Sequence, residues 1–186
     1  TVGDLSDFLR IAFVRDPLDR FLGGVYEHGE WDTLHMEHNL RAVRREASRL
    51  RGFPGRHRTC RYVTQSYLLS ATDSEGLPLE FDFLGQVEDF KSDWQALSTW
   101  LGINVSSSSE KTRINHSGSS NIKAAVRDHV LQEEEVLCSV CSVYLQDYAC
   151  FGYDVPDVCC RGRCEVYGFA IPKRQLHLAG CPQGVG

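Results

Sequence analysis

The sequence lacks long apolar runs, internal repeats and a phosphate loop of the GxxxxGK(S/T) type. Nothing in its 186 residues approaches the roughly 18 consecutive apolar residues of a membrane span, and no signal peptide is visible. The missing loop disfavours a nucleoside-triphosphate hydrolase or kinase, unless that loop lies upstream of Thr1. Because the chain starts without Met and almost directly at a predicted strand, we expect a piece of a longer protein, otherwise of ordinary globular composition.

Lysine is absent between residues 41 and 61, where arginine is dense. Eight arginines and one acid, Glu46, give this stretch a charge of +7, which leaves −12 for the rest of a chain whose net charge is −5. Arginine without lysine suits bidentate recognition of carboxylate, sulfate or phosphate, and a solvated helix face explains the pattern equally well. Nucleic acid is not an expected partner, because the acidic remainder would repel it.

The eight cysteines, five of them from Cys150 onward, permit disulfides in an oxidising compartment. Asn104 and Asn115 begin Asn-x-Ser tripeptides that fit N-glycosylation, which matters only in the secretory pathway. Cys138 and Cys141 could bind zinc together with the later cysteines. They lie three apart within a predicted helix, however, and no histidine follows at finger spacing. We therefore expect disulfides in the tail, of undetermined connectivity, and no metal.

The stretch from Leu9 to Tyr26 predicts a buried strand, an Arg-Asp-Pro turn and a helix. A short apolar run ends at Val14, as in a parallel strand. Asp16 suits the N-cap and Pro17 the first helical position, and apolar residues then recur at 18, 21, 22 and 25. Arg15 lies where the strand meets the helix N-terminus, a place that favours an anion. We expect that anion to be a nucleotide phosphate.

The remaining pattern alternates helices with a further strand. The predicted elements are a basic helix over His38–Leu50, an apolar segment of undecided type over Tyr62–Leu69, a strand over Glu80–Gly85, a helix with a Ser92–Gln95 capping box that ends at Gly102, and helices over Asn121–Leu131 and Glu133–Tyr148. This order predicts an α/β layered fold with a parallel sheet flanked by helices. We expect one domain over residues 1–156 and a Cys- and Gly-rich tail over 157–186.

Three segments carry a family resemblance. Residues 13–21 read FVRDPLDRF, residues 81–88 read FDFLGQVE, and residues 143–153 read VYLQDYACFGY. They are similar, in the same order, to the 3′-phosphate motif, a later strand and the closing helix of the Golgi carbohydrate sulfotransferases. That family uses 3′-phosphoadenosine-5′-phosphosulfate (PAPS). The match covers Leu9–Pro156, so the family's 5′-phosphosulfate loop would precede Thr1.

The resemblance implies a P-loop-like fold, here as an incomplete domain, with PAPS as the sulfuryl donor and no metal. It implies that Arg15 binds the 3′-phosphate of the donor. A family serine that also contacts this phosphate is replaced by Gly23, so the phosphate would lose a hydrogen bond or rest on backbone N–H groups. Asn115 lies in a loop that resembles the family's Asn-x-Ser near the nucleotide, and it would line the donor site.

Sulfuryl transfer needs a base for the acceptor hydroxyl. The candidates lie at or just beyond the end of the helix that follows Arg15, and they are His28, Glu30, His35 and His38. Arg41, Arg45 and Arg49, spaced by four, could hold an acceptor carbohydrate that bears uronate or sulfate.

The resemblance implies a single-pass type II membrane protein of the Golgi lumen, whose membrane anchor lies outside this chain.

A second class of function is compatible with the same residues. A non-catalytic module could keep the fold and use the arginines to hold an anionic glycan, and Gly23 in place of serine favours this alternative. Glu88 could be catalytic as well, although a helix-capping or paired role explains it more simply.

Overall fold

The computed structural model describes residues 8–28, 32, 34–52, 63–70, 72, 76, 80–103, 120–161, 164–166 and 169–170. These residues form a mixed α/β structure that is mostly helical. Its elements in chain order are β1 (Ile11–Val14), α1 (Pro17–His28), α2 (Met36–Gly52), α3 (Gln65–Leu68), β2 (Phe83–Gln86), α4 (Phe90–Trp100), α5 (Ser120–Val130), α6 (Glu134–Phe151), α7 (Asp157–Cys160), β3 (Glu165–Val166) and β4 (Phe169–Ala170).

The described residues divide into two compact units that are interleaved along the chain. The first unit combines residues before Asp16 with residues 69–115, and the second combines 16–68 with the residues from 116 onward. No helix in the described ranges is both long and apolar enough to cross a membrane.

A two-stranded parallel sheet forms the centre of the first unit. β1 pairs with β2, with Ile11 opposite Phe83 and Val14 opposite Gln86, which confirms a parallel sheet. β1 begins at Ile11, later than the start of the apolar run. The N–H of Arg10 is donated to the carboxylate of Asp82, at 2.7 Å, instead of to a backbone carbonyl of a neighbouring strand.

Phe13 is the centre of an aromatic cluster that packs α4 on this sheet. Its ring centroid lies 5.0 Å from that of Phe90, 6.0 Å from that of Phe83 and 6.5 Å from that of Trp94. Gly85 is required beside it, since a Cβ at this position would lie 2.5 Å from Cε1 of Phe13.

The start of α4 differs from the prediction of a capping box. The helix begins at Phe90 with Asp89 as N-cap, so Ser92 lies inside the first turn. Its hydroxyl donates to the carbonyl of Asp89, at 2.9 Å, instead of accepting an N–H. The prediction that Gly102 ends this helix is confirmed, because Gly102 has a φ of +66°.

The second unit is a helical core in which α6 packs against α1, α2 and α3. The four apolar positions predicted for α1 are confirmed as core: Leu18, Phe21, Leu22 and Val25 are at most 3% exposed. Asp16 accepts the N–H of Asp19 on Oδ1, at 2.9 Å, which confirms it as the N-cap, and Pro17 opens the helix. Among the described residues, Tyr144 and Tyr148 have the largest fully buried side chains.

Two disulfides bind the segment after α6 back onto that helix. Cys138 bonds to Cys164, and Cys141 bonds to Cys159 in α7. The expectation of tail disulfides is thereby confirmed, and these pairings resolve the connectivity of four cysteines. Cys160 is also disulfide-bonded, whereas Cys150 is an exposed thiol. Among the described residues, no cluster of histidines, cysteines and carboxylates could hold a metal ion.

We expect the double variant Cys141→Ala/Cys159→Ala to lower the free energy of unfolding by about 3 kcal/mol. The bond closes a loop of 18 residues, and a crosslink of that span removes chain entropy of this size from the unfolded state. Urea unfolding without reductant measures the change, with Cys150→Ala as the matched control. Equal midpoints for both variants would contradict a stabilising role for this bond.

Candidate functional site

Arg15 ends β1 and directly precedes α1. Its side chain is exposed. In α/β proteins with parallel strands, ligands bind outside the carboxyl ends of those strands, which is where the chain leaves Arg15. The position therefore suits an arginine that binds an anionic ligand.

Asp16 accepts two hydrogen bonds at the N-terminus of α1. The N–H of Asp19 is bonded to Asp16, and the N–H of Arg20 donates to the Asp16 carbonyl at 2.8 Å. One N–H group of the first turn, that of Asp19, is therefore already bonded within the protein.

Arg127 of α5 holds the two carboxylates at the start of α1. Its Nε donates to Oδ1 of Asp19 at 2.8 Å, and its Nη2 lies 4.0 Å from Oδ1 of Asp16. Burial alone would lower the pKa of Arg127, but the charges of Asp19 and Asp16 raise it above its ordinary value. Burial raises the pKa of Tyr148 strongly, and the Asp16 carboxylate adds to that rise, so the phenol stays neutral.

A second polar cluster precedes α2. The carboxylate of Asp32 lies 2.6 Å from Nδ1 of His35, and its Oδ1 accepts the N–H groups of Leu34 and His35 at 2.7 and 3.2 Å. Asn39, which has no exposed surface, accepts the N–H of Asp32 at 3.0 Å and donates to the Asp32 carbonyl at 2.7 Å. The N–H of Leu34 and the His35 ring lower the pKa of Asp32.

The segment of undecided type contains the short helix α3, and long-range hydrogen bonds hold it. Asp147 of α6, which is fully buried, accepts the N–H of Gln65 and the N–H of Ser66, both at 2.8 Å. Arg20 of α1 donates to the carbonyl of Val63 at 3.0 Å. A carboxylate at the start of a helix satisfies N–H groups that have no partner within the helix.

The arginines on α2 have carboxylate or carbonyl contacts of their own. Arg49 lies 2.6 Å and Arg45 3.5 Å from Oε1 of Glu46, and Arg41 donates to the carbonyl of Glu37 at 3.2 Å. All three remain exposed, which suits substrate contact, but part of their charge is already compensated.

A cavity of about 300 Å³ lies between α2 and the start of α6, with Arg44, Ser48, Ser139 and the three glutamates 133–135 among its lining residues. Glu133 accepts two hydrogen bonds from Arg44, both at 2.8 Å, and thereby raises the pKa of that guanidinium. Three carboxylates against one arginine disfavour an anionic group inside this cavity.

The other predicted site residues are dispersed. Gly23 is half-buried on α1 and belongs to the second unit, whereas Arg15 belongs to the first. Asn115, Glu30 and the side chain of His28 lie outside the described residues. His38 is half-buried on α2 and Glu88 is exposed.

Comparison with protein-family models, curated proteins and solved structures found no match to this chain. Sequence reasoning assigned no site role to several polar residues described here, namely Asp32, Asn39, Arg127, Tyr148 and Asp147. Asp32 has a local signal, because an Asp side chain in a turn often accepts the N–H of the residue two positions later, here Leu34. Asn39 contacts Asp32, seven residues away, whereas Arg127 and Asp147 contact partners 108 and 82 residues away.

Proposed function

We propose that this chain is part of a sulfotransferase that moves a sulfuryl group from PAPS to a hydroxyl of a carbohydrate. The observation that carries the proposal is the Arg-Asp-Pro turn: an exposed arginine at the carboxyl end of a parallel strand, followed by a capped helix. This local structure agrees with the 3′-phosphate motif that residues 13–21 resemble. The P-loop-like fold and the roles of Gly23 and Asn115 belong to the same proposal.

Arg15 is suited to binding a phosphate, whereas the negative charge in the first turn of α1 is not. Arg15 offers a guanidinium, which is suited to bidentate contact with phosphate oxygens. In the first turn of α1 the N–H of Asp19 is already bonded to Asp16, and the carboxylates of Asp16 and Asp19 leave that turn one negative charge in excess beside Arg127. Binding of the 3′-phosphate would therefore depend on Arg15 more than on the helix dipole.

The disulfides support the lumenal location that the proposal requires. Two bonds resolved within 27 residues are typical of a protein that folds in an oxidising compartment. A Golgi enzyme of type II topology would meet this condition. The alternative of a glycan-binding module has less support, because Arg45 and Arg49 share Glu46 and Arg44 is paired with Glu133.

Two measurements on the full-length protein test the proposal. Isothermal calorimetry should detect binding of adenosine 3′,5′-bisphosphate, and labelled sulfate should pass from PAPS to at least one member of a panel of neutral and anionic glycans. Glycan binding without nucleotide binding would support the module instead. If neither nucleotide nor glycan bound, both functions would be rejected.

A further inference from the structure

The carboxyl ends of β1 and β2 lie side by side in the first unit. Val14 of β1 is opposite Gln86 of β2 in the parallel register, and the N–H of Val87 donates to the carbonyl of Val14 at 2.8 Å. Paired strands lie about 4.8 Å apart. Arg15 and Glu88, which directly follow Val14 and Val87, therefore leave the sheet at the same edge, and both are exposed.

Hydrogen bonds fix the turn that carries Glu88. Asp93 in the first turn of α4 accepts the N–H of Gln86 on Oδ2 at 2.6 Å, and the carbonyl of Val87 accepts the N–H of Phe90 at 3.3 Å. The helix in turn packs on the sheet through its aromatic residues. Because the N–H groups of Gln86 and Val87 are bonded within the protein, polar contacts to a ligand at this edge depend on side chains.

We propose that Glu88 is a specificity-determining residue, which accepts a hydrogen bond from the ribose 2′-hydroxyl of the nucleotide whose 3′-phosphate is bound by Arg15. This inference rests on the proposed function. The 2′-hydroxyl and the 3′-phosphate are attached to neighbouring carbons of the ribose, so a phosphate bound to Arg15 brings the hydroxyl to the same edge of the sheet. Glu88 thereby selects ribonucleotides over their 2′-deoxy counterparts.

A carboxylate suits the hydroxyl and not the phosphate. An ionised carboxylate only accepts hydrogen bonds, and the hydroxyl can donate one. Carboxylates at the ends of parallel strands bind ribose 2′-hydroxyls in this way in dinucleotide-binding folds. The negative charge also repels the nearby phosphate. Glu88 therefore contributes to the discrimination between nucleotides more than to the overall affinity.

Two other carboxylates of the same unit serve for comparison. Asp89 is the N-cap of α4 and lies one residue further from the sheet than Glu88. Glu80 is exposed and precedes β2, so it lies at the amino end of that strand. Of these three carboxylates, Glu88 follows the carboxyl end of β2 most closely.

Calorimetry of the full-length protein with two nucleotides tests the assignment. Adenosine 3′,5′-bisphosphate should bind about 10- to 150-fold more tightly than 2′-deoxyadenosine 3′,5′-bisphosphate, the range expected for one hydrogen bond to a charged group. In Glu88→Ala the two Kd values should agree within twofold. Glu88→Gln keeps a neutral acceptor and should retain part of the difference. Glu80→Ala and Asp89→Ala are the matched controls, and both should keep the ratio of the parent.

The ratio of the two Kd values does not change with the fraction of folded protein, so a merely structural effect of Glu88→Ala leaves it at the value of the parent. A parent that bound both nucleotides equally well would overturn the role of Glu88 and leave the proposed function intact. An unchanged ratio in Glu88→Ala, or an equal loss of the ratio in Asp89→Ala, would overturn it as well. A parent that bound neither nucleotide would reject this inference together with the proposed function.

Discussion

Replacement of Arg15 by alanine is expected to weaken the binding of adenosine 3′,5′-bisphosphate by about 2–5 kcal/mol, roughly 30- to 5,000-fold in Kd. The first turn of α1 carries the carboxylates of Asp16 and Asp19, and the N–H of Asp19 is bonded to Asp16. The Arg15 guanidinium would therefore supply most of the positive charge that binds the phosphate. Calorimetry of the full-length protein measures the effect.

The control for this variant is Lys91→Ala, which removes an exposed cation from α4 of the same unit. It should leave Kd unchanged within twofold. A second variant, Gly23→Ser, introduces a hydroxyl on α1. It should lower the Kd for adenosine 3′,5′-bisphosphate if the phosphate reaches that turn of the helix. If Arg15→Ala and Lys91→Ala had the same Kd as the parent, Arg15 would have no role in phosphate binding.

Replacement of Asp147 by alanine is expected to lower the free energy of unfolding by about 2–5 kcal/mol. The change leaves the N–H groups of Gln65 and Ser66 without their shared acceptor, and each unsatisfied buried donor costs about 1–3 kcal/mol. The hydrogen bond from Arg20 to the carbonyl of Val63 would remain. Urea unfolding gives the global change.

Hydrogen exchange distinguishes a local effect from a global one. The amides of Gln65 and Ser66 should exchange faster in Asp147→Ala than in the parent, beyond what the loss of global stability explains. Asp154→Ala, which removes an exposed carboxylate a short distance after α6, should change neither quantity. Unaltered protection of Gln65 and Ser66 in Asp147→Ala would show that these amides do not depend on the carboxylate.

The sequence predicted the features that have a local signal. In α1, the N-cap, the opening proline and the four buried positions all follow from spacing within ten residues, and the structure has them as predicted. The parallel pairing of β1 and β2 was expected from the alternation of elements. The error at α4 was also local, because Ser92 satisfied the capping-box spacing while Asp89 was the actual N-cap.

Several polar contacts could not be predicted because they join residues that are distant in the chain. Arg127 reaches Asp19 across 108 residues, and Asp147 reaches Gln65 across 82. No periodic pattern links such pairs. The charge of Arg44 was visible in the sequence, but its pairing with Glu133, 89 residues later, was not. The sequence therefore overstated how much positive charge α2 presents to a ligand.

The interleaving of the two units restricts how the protein can be dissected. A fragment that stopped at Leu68 would contain β1 without β2, and α1 and α2 without the α6 on which they pack. A fragment that began at Leu69 would contain the opposite halves. No single cut releases either unit whole, so study of one in isolation requires its two segments to be joined by a new linker or supplied together as complementing fragments.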